Sequence, residues 1–228
     1  MNDQQLTRQA LLKMVIVRFG LGIIGLGAMF FLPAGSLAYW QAWVWLAVVC
    51  VPMLFVLVYL LKNDPALLER RMRTREKEQQ QGLLVKLGWV WLLGLLLPGF
   101  DHRFGWSQVP TTVVLAADAL VLVAYLGFFR VLRENSYASR VVEVDQQQKV
   151  ISSGPYAVVR HPMYSAISVL WVFTPLALGS YWAIIAGALI VPILVARILN
   201  EEQVLLRDLA GYQEYTKRVT YRLVPGVW

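Results

Sequence analysis

Long apolar stretches separated by short polar ones dominate the chain of 228 residues. Crossing a bilayer takes roughly 20 largely apolar residues, because a helix must satisfy its own backbone across about 30 Å of hydrocarbon. Four stretches come near that length, at residues 14–32, 40–61, 83–100 and 111–132. A fifth, Tyr164 to Leu199, is too long for one span and is interrupted by Gly179-Ser180, so it predicts a helical hairpin. Its first arm holds only about 17 residues even when counted from Pro162, or about 25 Å at 1.5 Å per residue. It is expected to be tilted, short or incompletely spanning. Pro175 and Pro192 fall inside the two arms and predict kinks.

The fold class predicted by this pattern is all-α, a polytopic membrane helix bundle with a C-terminal helical hairpin. Residues 1–132 form the N-terminal transmembrane helices. Residues 133–228 form a second unit around the hairpin 162–199, with a polar tail behind it. Charge placement supports the same topology. Lys and Arg gather near the N-terminus, in the loop between spans two and three, after span four, and in the tail. Twenty of the 21 then fall on one side and only Arg103 on the other. By the positive-inside rule that side is the cytoplasm, with both termini on it.

Composition excludes several classes. The chain is 58% hydrophobic and 15% charged, where a soluble domain carries about 25% charge. The net charge of +7 does not point to nucleic acid, because the basic residues flank apolar runs as they do beside an anionic leaflet. Cys50 is the lone cysteine, so no disulfide within the chain is possible. With two histidines, His102 and His161, placed on opposite sides, no metal site is expected. The first apolar run closes on Phe30-Phe31-Leu32-Pro33 without a small-residue cleavage site, so no signal peptide is expected. The loop from Asn63 to Gly82 reads as a solvated amphipathic helix or linker. Asp118, in the middle of a span, is expected either to bond to a neighbouring helix or to line a cavity.

Candidate chemistry begins after span four. Residues 133–163 are polar, with a β-like alternation at Arg140-Val141-Val142-Glu143-Val144. Gly154-Pro155 marks a tight turn, and His161-Pro162 opens the hairpin with Pro at the first helical position. Beyond the hairpin, Arg197, Glu201 and Leu205 share one helix face, with Glu202 beside them. Taken singly, each has an ordinary reading. His161 is a cap, Arg197 and Glu201 are an ion pair worth tenths of a kcal/mol, and Tyr156 and Tyr164 are interfacial aromatics.

Taken together they resemble a known family. Gly154-Pro155-Tyr156-x3-Arg160-His161-Pro162-Met163-Tyr164, then Glu201-Glu202, then Tyr212-x2-Tyr215 and Arg222-Leu223-Val224-Pro225, is similar to the signature of the isoprenylcysteine carboxyl methyltransferases and the related phospholipid methyltransferases. Arg133 to Tyr137 and Gln148 to Ile151 look like bacterial members. The resemblance implies an S-adenosylmethionine pocket at the cytoplasmic face of a bacterial inner membrane. It places the cofactor against Gln148, Lys149, Val150, Ile151, Tyr156, His161, Pro162, Met163 and Tyr164, and against Glu201 or Glu202. It puts the acceptor near Arg197. Arg160 suits a carboxylate, either the cofactor's or a neighbouring glutamate's. His161 is the only histidine placed to act as a base, which a thiol or amine acceptor would need. One departure is visible: Ala166 stands where many members have Gly, and a small residue is kept.

The acceptors this implies are a prenylated cysteine carboxylate, a phospholipid amine, or a small thiol or isoprenoid acid. Two competing readings are a sterol-reductase-type membrane enzyme using NADPH and a non-catalytic membrane protein.

Overall fold

A computed structural model describes residues 8–72, 78–137 and 148–228. Among them the chain is all-helical. In order come α1 (Arg8–Ala34), α2 (Trp40–Asn63), α3 (Pro65–Met72), α4 (Glu78–Phe104) and α5 (Thr111–Glu134). A 3-10 turn (Gly154–Ala157) then leads to α6 (Pro162–Ala177), α7 (Ile184–Asp208) and α8 (Tyr212–Arg218).

Four of these helices are long and apolar enough to cross a bilayer: 9–34, 40–63, 111–134 and 184–208. The chain is therefore a membrane protein, with apolar side chains such as Ile24, Val51, Phe55 and Val123 left for lipid to cover. The expected span 83–100 lies within α4, part of whose side chains fall outside the described residues. The hairpin is present. Its first arm, α6, is the short one at 16 residues. The second arm does not stop at Leu199 but runs on to Asp208, so its last turns project beyond the apolar stretch. The loop after α2 is partly a short amphipathic helix, α3, which buries Leu67 and Leu68 and is capped by Asp64, whose Oδ1 accepts the Leu67 N–H at 2.9 Å. The alternation expected at 140–144 lies outside the described residues.

Helix α6 is central. It packs most extensively against α5, and also against α7 and α2, while α1 rests on α4 and α2, and α4 on α7. Small residues set the close approaches. A Cβ on Gly187 of α7 would stand 2.7 Å from the Trp171 carbonyl of α6, and one on Gly94 of α4 would stand 2.7 Å from the Ala186 methyl. Such contacts substitute for a hydrophobic driving force that helices in lipid lack. Trp45 adds a polar link, its Nε1 donating to Thr174 Oγ1 at 3.1 Å. Asp118 is buried, and its carboxyl oxygens have no hydrogen-bond partner among the described residues.

The turns after α1, α4 and α6 meet at one end of the bundle. Asp101 is 1% exposed. It accepts the Ser107 N–H at 2.7 Å, the Ser107 hydroxyl at 2.6 Å and the Ser180 hydroxyl. The Tyr39 hydroxyl donates to the Leu178 carbonyl, and its ring stacks on His102 at 4.3 Å. At the other end Arg18 donates to the Met72 carbonyl, and Arg70 to the Ser136 carbonyl at 3.1 Å.

Removing the Asp101 carboxylate strands the donors of Ser107 and Ser180. Asp101→Ala is expected to cost about 2–4 kcal/mol, read as a lower thermal unfolding midpoint of the protein in detergent. An unchanged midpoint would show that the three turns are held together by something else.

Candidate active site

The site is assembled where the hairpin opens. The Gly154-Pro155 turn requires glycine on two counts. Gly154 has φ +56°, and a Cβ there would lie 2.8 Å from Glu134 Oε2. The Ser153 hydroxyl donates to Glu134 Oε1, and Asn135 Nδ2 donates to the Tyr156 hydroxyl at 2.9 Å, which fastens the turn to the end of α5. The Tyr215 hydroxyl of α8 donates to the Tyr156 carbonyl at 2.7 Å. The tail then lies along the entry to α6. The N–H groups of Arg160 and His161 donate to the carbonyls of Tyr221 and Arg222, each at 2.9 Å. Donors preceding α6 are thereby satisfied by a segment about sixty residues away.

Glu202 lies beneath this arrangement, 5% exposed. Its Oε1 accepts Arg160 Nε at 2.6 Å and lies 3.3 Å from His161 Nε2, and its Oε2 accepts Arg222 Nε at 2.8 Å. Arg160 Nη1 also donates to the carbonyls of Val219 and Thr220. Neighbouring residues on a helix point about 100° apart, so Glu201 faces elsewhere. Its Oε2 accepts the Tyr164 hydroxyl at 2.6 Å, and that hydroxyl in turn accepts Arg197 Nε at 2.9 Å.

Glu201, Tyr164 and Arg197 border a cavity of about 870 Å³ of empty space, its open mouth included. The stretch Gln148, Lys149, Val150, Ile151 lines it, as do Tyr156, Arg160, His161 and Met163. Pro162 and Glu202 do not. Pro162 is buried as the first residue of α6, and the Glu202 carboxylate is taken up by Arg160, His161 and Arg222. Of the two glutamates, Glu201 is the one at the cavity. Arg160 pairs with one of the protein's own carboxylates, Glu202. His161 is the N-cap residue of α6 but makes no side-chain cap bond.

The cavity also takes residues not singled out as site candidates. Val204, Leu205 and Leu209 continue the Arg197–Glu201 face of α7, a helical spacing already present in the sequence. Asn135, Tyr137, Tyr212 and Tyr215 come from chain segments far apart; they fall in motifs that carried the family resemblance, which gave them no role at the site. Burial pushes the Tyr156 hydroxyl up to about 12, against the pull of the Asn135 amide, and burial also raises Tyr212 and Tyr215. All three phenols are neutral at physiological pH.

Fold and cavity define an integral membrane protein with a polar pocket at one end of its helices. The family model of phospholipid methyltransferases matches residues 112–210, which hold α5, the 3-10 turn, α6 and α7. Over that stretch the chain is similar to the phospholipid methyltransferases, and the match fits the family resemblance of its motifs. Among curated proteins none matches the chain.

The two glutamates should separate by what they do to stability. Glu202→Ala leaves Arg160, 7% exposed, without its carboxylate, and an expected loss of about 3–5 kcal/mol follows. Glu201→Gln keeps an acceptor for Tyr164 and should cost under about 1 kcal/mol. Thermal unfolding of both variants checks this, and equal losses would contradict the assignment. Tyr156 carries a pH signature. Its hydroxyl ionises near 10 when unfolded and about 12 when folded, so its contribution is complete below pH 10 and is lost as pH rises from 10 to 12. The midpoint gap between wild type and Tyr156→Phe should therefore be flat below pH 10 and shift only above it. A gap that changes between pH 6 and 9 would rule out the burial account.

Proposed function

We propose that the cavity binds S-adenosylmethionine and that the protein methylates a lipophilic or small acceptor arriving from the membrane. The observation that carries this reading is the Glu201–Tyr164–Arg197 chain of hydrogen bonds at the edge of the cavity. The residues fit the cofactor's chemistry. A carboxylate suits the ribose hydroxyls or the ammonium, Lys149 suits the carboxylate, and Val150, Ile151, Val204 and Leu205 suit the adenine faces. Tyrosine rings are attractive to a sulfonium cation. When bound, the cofactor supplies an activated methyl group for in-line displacement, with no covalent enzyme intermediate.

The protein's share is positioning and water exclusion. Holding two reactants in line can supply about 7–11 kcal/mol of a barrier. Glu201, kept in place by Tyr164, fixes one reactant. Arg197 orients an acceptor's anionic group by charge-assisted hydrogen bonding. His161 lines the cavity while its Nε2 rests against Glu202. With Nε2 held against Glu202, Nδ1 is the ring atom left to take the proton of a thiol or amine acceptor. Glu202, Arg160 and Arg222 position His161 rather than touch a reactant. The family description favours a phospholipid amine among the acceptors. The concentration of Lys and Arg at the cavity end supports a cytoplasmic site in a bacterial inner membrane, with both termini on that side.

Thermal stabilisation by S-adenosylhomocysteine against NADPH tests the cofactor, and transfer of labelled methyl groups into host lipid and small-molecule extracts tests the acceptor. Stabilisation by the first compound alone is expected, with label entering the lipid fraction and turnover lost in Glu201→Gln and Arg197→Gln. Stabilisation by NADPH alone would point to a reductase. Unaltered binding and turnover in variants of Glu201, Glu202, His161 and Arg197 would mean that the site lies elsewhere.

A further inference from the structure

The matched domain begins at residue 112, yet part of the cavity's border touches a helix well before it. Helix α3 is anchored by Leu67 and Leu68, which are 0% and 1% exposed. Its two consecutive arginines reach the cavity rim. The Arg70 guanidinium lies 5.5 Å over the ring of Tyr137 and donates to the Ser136 carbonyl. The Arg71 guanidinium lies 5.1 Å over Phe128, with Nη1 3.9 Å from the Met163 sulfur. Tyr137 and Met163 both line the cavity, and the exposed Lys149 lines it too.

Among the described residues around this rim, basic side chains outnumber acidic ones. Asp64 is engaged in capping α3, and Glu134 accepts the Ser153 hydroxyl. Glu69 is the single acid on α3 itself. Against these stand Arg70, Arg71 and Lys149, with Arg18 and Arg133 on the adjoining helices. Guanidinium groups resting on aromatic faces stay weakly hydrated and hold their fork in one plane, which suits them to phosphate or carboxylate oxygens. A short amphipathic helix with buried leucines and a basic face is also the form that lies at a lipid headgroup layer.

We propose that Arg70 and Arg71 of α3 form a headgroup subsite that holds the phosphodiester of the lipid acceptor at the mouth of the cavity. This rests on the methyltransferase reading and names the part of the chain that selects its acceptor. The subsite lies outside the catalytic cluster. It fixes the lipid's phosphate at the rim, so that the group beyond the phosphate enters the cavity toward Arg197 and Glu201.

The test uses the full chain in maltoside micelles and follows tryptophan fluorescence during titration with three probes. These are dihexanoyl phosphatidylglycerol, dihexanoylglycerol with the same tails and no phosphate, and inorganic phosphate. Wild type is expected to bind the phospholipid about tenfold or more tighter than the uncharged lipid, the scale of a charge-assisted hydrogen bond. Arg70→Gln/Arg71→Gln should lose that preference, and Arg70→Lys/Arg71→Lys should keep part of it. The single glutamine variants and unfolding midpoints guard against a misfolded double variant. Unchanged phospholipid binding in the glutamine variants overturns the proposal. Competition by inorganic phosphate at the phospholipid's own affinity makes this a free-anion site and overturns it too. So does a matching fall in S-adenosylhomocysteine affinity, which would assign the arginines to the cofactor. Failure of wild type to bind S-adenosylhomocysteine would sink the methyltransferase reading while leaving the lipid titration to stand.

Discussion

A single buried carboxylate holds the site together. Glu202 on α7 receives Arg160 from the hairpin entry, Arg222 from the tail and the ring of His161, so three separate parts of the chain converge on two oxygen atoms. Removing a carboxylate and a guanidinium from water is costly, and their attraction offsets that cost only when every remaining donor is also satisfied. Arg160 turns its Nη1 to the Val219 and Thr220 carbonyls of the tail, and the tail returns its own carbonyls to the N–H groups of Arg160 and His161. The tail is thereby clasped across the mouth of the hairpin, carrying Tyr212 and Tyr215 into the cavity wall.

That arrangement leaves Glu201 available for other chemistry. Two adjacent carboxylates on a helix cannot share a partner set, because each step turns the side chain by about 100°. One faces inward and is neutralised by arginine. The other faces the cavity and is held by a phenol that also contacts Arg197. A buried, arginine-paired carboxylate and a cavity-facing one are thus built from consecutive residues. The opposite end of the bundle has its own polar anchor in Asp101, which ties the hairpin turn to the N-terminal helices. The short arm α6 is therefore held at both ends, by the tail at one and by the turns at the other, and along its length it packs against α5, α7 and α2. The N-terminal helices do more than fill the membrane. They fix α6, and through α3 they bring arginines to the rim of a cavity otherwise lined from residue 135 onward.

Much of this was legible in the order of residues, because the bilayer imposes a length on apolar runs and lipid-facing helices must announce themselves in composition. The helices around 14–32, 40–61, 83–100 and 111–132, the hairpin and its short first arm follow from that constraint alone, whereas the site candidates after the fourth span came from the resemblance of their motifs to a known family. The roles within the site did not follow. Glu201 and Glu202 are indistinguishable in a linear motif, and only the crossing of α7 behind Arg160 decides which is buried. Arg222 and Arg71 join the site through contacts between residues 20 to 92 positions apart, and Tyr212 comes to the cavity wall with the tail. No periodicity encodes such contacts, since helix rotation and the path of the tail are settled by packing and by the demand that every buried donor find an acceptor.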